Sequence, residues 1–188
     1  DQALTQFTDS QVIKYLERTD SGLVKKQTVD TYTEKCIEGN AIPSSDKLVN
    51  HQKIENTYDG RNLTNTTVER WLTLTEQAAT KIDKSETVYS NFDPRHFAAK
   101  SETKRYIYED NGTKEIYTTR TVVDTTHDKI DNRGNHEYEE IKTFRQIYNA
   151  SGVKSGEEEV SFQKITNRSF TSKNQVKSQE VYNYDNSV

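Results

Sequence analysis

Residues 106–117 read Tyr106-Ile107-Tyr108-Glu109-Asp110-Asn111-Gly112-Thr113-Lys114-Glu115-Ile116-Tyr117. Tyr-rich alternating segments flank Asn111-Gly112. Asn tolerates positive φ and Gly adopts it without a Cβ penalty, so this dipeptide predicts a tight β-hairpin. The other glycines sit in similar company: Asp20-Ser21-Gly22, Glu38-Gly39-Asn40, Asp59-Gly60, Arg133-Gly134-Asn135, Ser151-Gly152 and Ser155-Gly156. All are turn-like contexts, where Asx and Ser side chains bond the local backbone.

Composition points the same way. Thr, Ile and Val supply 48 of the 188 residues, and Tyr adds 11 more. These types fit a pleated, half-buried surface. Leu is rarer than Ile, and strong helix formers are not gathered in long runs. From residue 101 onward, turn signals recur near 111, 133, 152 and 172. An interval of about 20 residues leaves strands of roughly 12–16, well above the usual 5–6. Long strands joined by tight turns predict an all-β fold, an antiparallel up-and-down meander forming a sheet or a small barrel. The chain reads as a single domain over 1–188, with about eight strands and one or two short helices.

Local readings fill in this plan. Residues up to about 10 form a helical or extended lead-in, followed by a strand and a turn at Asp20–Gly22. A second strand covers 23–37, and 40–47 around Pro43 is a loop. Residues 48–58 and 62–75 pair around Tyr58-Asp59-Gly60, and Glu76 to Lys84 form a short helix with Ala78, Ala79 and Ile82 on one side. Around Asp93-Pro94 the pattern is least regular, and an irregular crossover is expected near 91–100. Strand faces do not alternate cleanly. Tyr138, Phe144 and Tyr148 share one parity while Ile141 and Ile147 take the other, and Ile165 breaks the phase of Val160 and Phe162. Either bulges shift the phase or both faces are partly buried.

Hydrophobic residues make up only 30% of the chain, and mean hydropathy is -1.04. Leu, Ile, Val and Phe number 37 of 188, near the roughly 20% level below which highly charged chains stay unfolded. The net charge of only -4 places the chain outside that class. No apolar run approaches the ~18 residues of a membrane-spanning helix. Such a sheet has little core of its own and draws support from neighbours, glycans or a ligand.

Several chemistries lack their residues. The 26 basic residues are interleaved with 30 acids, which gives no stripe for phosphate and no nucleic-acid footprint. Neither a nucleotide-binding Gly-rich loop nor a G-x-S-x-G nucleophile context occurs. The histidines His51, His96, His127 and His136 are scattered. Asp124, Asp128 and Asp131 offer hard oxygens of the kind Ca²⁺ takes, or simply a solvated turn. The run Glu157-Glu158-Glu159 reads as a charged strand start guarding an edge. The expectation is a protein that is not an enzyme and has no cofactor and no metal site.

The start Asp1-Gln2-Ala3 fits a processed chain, and Asn-x-Ser/Thr sequons occur at Asn62, Asn65, Asn111, Asn149 and Asn167. A secreted or cell-surface glycoprotein is expected. Cys36 is the only cysteine, either a small buried hydrophobe or an intermolecular partner. The leading function is a structural or interaction protein that meets a protein partner or copies of itself through strand edges. Val181, Tyr182 and Tyr184 in the last strand are its contact candidates. The alternative is a barrel carrier for a small apolar ligand or lipid. Trp71, Leu72, Phe92, Phe97, Tyr106, Tyr108, Phe144, Tyr148 and Phe162 would line its interior.

Overall fold

In a computed structural model, residues 9–34 and 43–184 are described, with side chains at all of these except 167 and 168. Ten strands follow: β1 (Ser10–Arg18), β2 (Val24–Tyr32), β3 (Leu48–Asp59), β4 (Asn62–Trp71), β5 (Lys81–Phe92), β6 (Ala98–Glu109), β7 (Lys114–Asp124), β8 (Glu139–Tyr148), β9 (Lys154–Phe170) and β10 (Val176–Tyr184). Their order in the sheet is their order in the chain. The fold is therefore the expected all-β antiparallel meander with long strands. The sheet is not closed, and among the described residues β1 and β10 are its edges.

Three details differ from the sequence reading. The helix expected over Glu76–Lys84 is a three-residue 3₁₀ turn, Ala78–Thr80, and β5 already begins at Lys81. The Leu72 amide donates to the Thr80 carbonyl at 2.9 Å, which closes the connection before a helix can propagate. Two further 3₁₀ turns, Ser45–Lys47 and His127–Lys129, are equally short. The irregular stretch near 91–100 is not a crossover. Asp93–Phe97 is a tight reversal between β5 and β6, which are sheet neighbours. The predicted strand over 62–75 stops at Trp71. The lead-in before residue 9, Gly39 and Cys36 lie outside the described residues.

The broken parity comes from use of both faces: Phe162 and Ile165 stand in an unbroken run of β8–β9 pairs and face opposite sides, as do Ile141 and Phe144 on β8. Between β8 and β9 the register slips where Thr143 pairs with Ser161 but Phe144 pairs with Glu159. Val160 is the extra residue of that bulge and stays exposed. A second slip, between Ile147 and Tyr148, skips Ser155. In β2 as well, five consecutive residues, Thr28 to Tyr32, are buried, so both faces of that strand are covered.

Contacts gather into two compact units. The first comprises Asp1–Asn56, Thr67–Ser85 and Ile107–Ile116. Tyr32, Trp71 and Val29 form its buried apolar centre. The expected 106–117 reversal is present, with Asp110, Asn111 and Gly112 all at positive φ (50°, 55° and 79°). Ala78 docks on this turn so closely that a Cβ on Gly112 would sit 1.7 Å from the Ala78 carbonyl oxygen. The second unit comprises Thr57–Thr66, Glu86–Tyr106 and Tyr117–Val188, with Ala99, Tyr117, Ile130 and Ile165 as its buried apolar residues.

The glycines provide a direct test. Gly152 has positive φ but open space around it, so Gly152→Ala should cost only the left-handed penalty, about 1–2 kcal/mol. Gly112→Ala must also displace backbone and should cost about 3 kcal/mol or more. Chemical denaturation of the two variants separates these values.

Candidate functional site

One hydrogen-bond pattern builds five of the chain reversals. In each, the first residue's amide donates to the fifth residue's carbonyl, and the fourth residue's amide donates to the first residue's carbonyl. The first side chain also accepts from the backbone ahead, and the fourth residue has positive φ. The five are Thr19–Leu23, Asp93–Phe97, Asp131–Asn135, Asn149–Val153 and Thr171–Gln175. Asp93 Oδ1 accepts from the Arg95 and Phe97 amides at 2.8 and 3.0 Å. Asp131 Oδ1 accepts from Arg133 and Asn135 at 2.7 and 2.9 Å. Asn149 Oδ1 does the same for Ser151 and Val153, and Thr171 Oγ1 for Lys173 and Gln175. Thr19 Oγ1 takes the Leu23 amide at 3.0 Å. The fourth residues are Gly22, His96, Gly134, Gly152 and Asn174. This is the three-residue hairpin loop with a left-handed bulge residue.

In the second unit these turns are tied together. Arg95, third in its turn, reaches the Ile130 and Asp131 carbonyls, both at 3.1 Å, and Asn132 Oδ1 at 3.2 Å. Arg133, third in the next turn, donates to the Thr171 carbonyl at 2.8 Å, and Asn135 Nδ2 reaches Asn174 Oδ1 at 3.2 Å. His96 Nδ1 lies 2.8 Å from Asn62 Oδ1. A row of loops is thereby fixed by charge-assisted bonds from arginine to backbone carbonyls. Burial opposes ionisation of Asp131, but the Asn135 side chain, the two amides and Arg133 outweigh it and bring its carboxyl down to about 2. Burial likewise opposes ionisation of Asp93, and the Phe97 amide and Arg95 hold it below the usual carboxylate range.

The three carboxylates weighed as Ca²⁺ ligands have other partners. Asp131 serves its turn, Asp124 faces Lys100 at 3.6 Å, and Asp128 faces Lys129 at 3.6 Å. Among the described residues, no group of three potential metal ligands occurs. Nor does the triple-Glu run guard an edge, because β9 lies between β8 and β10. Glu157 meets Arg120, Glu158 meets Arg145 and Glu159 meets Lys142. The Arg120 bond and the Tyr117 hydroxyl, 2.5 Å away, hold Glu157 below its usual range. Burial, Glu157's acceptor and its charge push the Tyr117 phenol up.

The aromatic residues expected to share one interior are dispersed over an open sheet. Phe92 and Phe97 do meet, in a cleft of about 260 Å³ with Tyr89, His96, Lys100 and His136. The Phe97 ring lies against Gly134, where a Cβ would come within 2.7 Å of it. Phe144 lines a separate cleft of about 240 Å³ and lies under Arg120 at 4.1 Å. Tyr106 packs on Tyr117 at 5.5 Å, and Tyr148 donates to the Tyr117 carbonyl. Phe162 stacks on Tyr184 at 5.0 Å. Tyr108 donates to Glu115 at 2.6 Å, and Leu72 is exposed.

The first unit holds a polar centre that sequence reading missed. His51 Nδ1 is 2.5 Å from Asp30 Oδ1, and both side chains are buried. Its Nε2 faces Glu76 at 3.4 Å, and Trp71 lies 5.8 Å away. Burial would lower the Lys53 ammonium, but Glu76 and Glu55 outweigh it and hold it above its usual value. Asp30 and His51 are direct cross-strand partners, a relation visible only once β2 and β3 are in register.

Among the edge residues, all nine of β10 are exposed, including Val176, Val181, Tyr182 and Tyr184. On β1, Ile13, Tyr15 and Leu16 are exposed as well. Of the sequon residues, Asn65, Asn111 and Asn149 are exposed and Asn62 is half-buried; Asn167 falls in β9, outside the described side chains. Compared with known protein families and with curated proteins, the chain matches none.

The turn carboxylates predict a pH dependence. Asp131 ionises at about 2 in the fold, against about 3.9 unfolded. Its lowered value gives stability that is full above pH ~4 and lost as pH falls toward 2, about 1–2 kcal/mol after allowing for solvent screening. Asp131→Asn keeps an acceptor but removes the charge. Acid unfolding should show wild type losing this increment between pH 4 and 2, and the variant lacking that slope.

Proposed function

We propose that this is a non-enzymatic structural or interaction protein of the extracellular space or cell surface, acting through its open strand edges with copies of itself. The observation that carries the reading is β10, a nine-residue strand that pairs with β9 and with no other strand among the described residues, and is exposed along its whole length. A long apolar-bearing edge with unpaired backbone groups is a template for another strand. Natural monomers blunt such edges with charge, but β10 carries only Lys177 and Glu180 against Val176, Val181, Tyr182 and Tyr184. The sheet's polar surface supports this role, since ion pairs between strands such as Arg120–Glu157 and Arg145–Glu158 link strands without a large core. The exposed Asn65, Asn111 and Asn149 are the glycan positions this location implies.

A second reading, a carrier of a small apolar ligand, has the Phe92–Phe97 cleft in its favour. At about 260 Å³ it lies just below the ~300–1,000 Å³ of sites for drug-sized ligands. Its occupant would be the size of one aromatic ring with a short substituent. Indole at millimolar concentration should then shift amide resonances of 92–101 and 134–136; unchanged resonances there retire this reading.

Edge association is tested by sedimentation across a concentration series. Wild type should form species larger than the monomer. Val181→Lys, at an exposed position, should leave the circular dichroism unchanged and weaken association by about tenfold. A wild-type chain that stays monomeric at the highest concentration overturns the reading.

A further inference from the structure

The edge reading leaves open which edge meets which, and the row of turns answers it. Each of the turns Asp93–Phe97, Asp131–Asn135 and Thr171–Gln175 joins an odd-numbered strand to the even-numbered strand after it. The third residue of the first two is arginine, and each arginine bonds the next turn two strands along. Arg95 reaches the 130–132 backbone and side chain, and Arg133 reaches the Thr171 carbonyl. In the last turn the third residue is Lys173, exposed, with no ion-pair partner among the described residues. Among the described residues there is no further turn for it to reach, because β10 is the last strand in the sheet order.

The remaining turn that joins an odd strand to an even one by this pattern is Thr19–Leu23, between β1 and β2. It has the same backbone bonds as the other three, Thr19 amide to Leu23 carbonyl at 2.8 Å and Gly22 amide to Thr19 carbonyl at 2.9 Å. Its second residue is the exposed Asp20, at the place where Asn132 accepts from Arg95 in the Asp131 turn. In an antiparallel meander each even-numbered strand, such as β10, takes odd-numbered strands as antiparallel neighbours. A β1 added beside β10 therefore continues the antiparallel alternation. The start of β10 then lies beside the end of β1, which brings the Thr171 turn next to the Thr19 turn.

Resting on the edge reading above, we propose that β10 of one copy pairs with β1 of the next, Lys173 bonding the Thr19 carbonyl and Asp20 carboxylate of the neighbour's first turn. The occupant of the β10 edge is a second copy of this chain, whose β1 edge presents both complementary features together. It offers a strand with exposed Ile13, Tyr15 and Leu16, and a turn with the required acceptors and the opposite charge. The contact is heterologous, so each added copy brings a further β10 and a further β1 to pair, and addition continues until a ring closes or as an open filament. A two-fold β10–β10 contact would set the start of one strand against the end of the other and leave Lys173 without a turn to bond.

Charge reversal at the two turn positions tests this on the full chain. Both residues are exposed, and circular dichroism monitors folding of each variant. Lys173→Asp and Asp20→Lys should each weaken association by about tenfold, through like charges placed face to face. Mixing the two variants in equal amounts should restore association, because every contact then joins opposite charges. If wild type associates and both variants associate equally well, this pairing is overturned while edge association stands. If only Lys173→Asp weakens association, or mixing fails to rescue it, the Lys173–Asp20 contact is likewise overturned. A monomeric wild type overturns the pairing together with the reading it rests on.

Discussion

A side-chain oxygen accepting backbone amides at the first position of a turn is the interaction on which this architecture depends. A sheet with so few buried apolar residues cannot rely on core packing to set its register. Here the register is set at the reversals. Asp93, Asp131, Asn149 and Thr171 each fix two amides ahead of them, so the two strands leave the turn at a defined offset. Two-residue periodicity makes any slip costly, because it moves every side chain to the other face. The arginines Arg95 and Arg133 then transfer that order from one hairpin to the next by bonding carbonyls rather than carboxylates alone.

Along the strands, ion pairs and cation–π contacts take the place that aliphatic packing holds in richer sheets. In the second unit, Arg120 bonds Glu157 while its guanidinium covers Phe144, and Lys164 pairs with Glu140 while lying near Phe162 and Tyr184. Each such exposed pair is worth about 0–1 kcal/mol alone. Their value lies in number and in specificity, since opposite charges face one another across strands only in the correct register. The same face stays wet and polar, which matches a mean hydropathy of -1.04 in a chain that still forms ten strands.

Much of this was legible in the sequence where one residue carries the signal alone. Asn111-Gly112 marked its hairpin, and the glycines at 22, 60, 134 and 152 marked turns because positive φ selects glycine strongly. The full turn pattern was hidden because two of its five instances place His96 and Asn174 where the others have glycine. A search for the first-position acceptor, through the shared Asp-x-Arg of 93–95 and 131–133, would have exposed it and removed the supposed crossover near Asp93. The faces could not be assigned from parity because both sides of the strands carry apolar residues, Phe162 on one and Ile165 on the other, and the bulge residue Val160 adds a local shift of phase. The Asp30–His51 pair was invisible for a related reason. Two residues 21 apart in sequence face each other only through the pairing of β2 with β3.

The scattering of the aromatic residues follows from the same constraint. A closed barrel would gather Phe144, Tyr148, Phe162 and Tyr106 into one interior, and closure would require β1 and β10 of a single chain to bond each other. The meander leaves them as edges instead, and each aromatic ring is served locally by a neighbouring cation, hydroxyl acceptor or second ring. Rings satisfied in this way gain little from an enclosed cavity. The β10 edge, by contrast, gains hydrogen bonds and apolar cover whenever a second strand arrives.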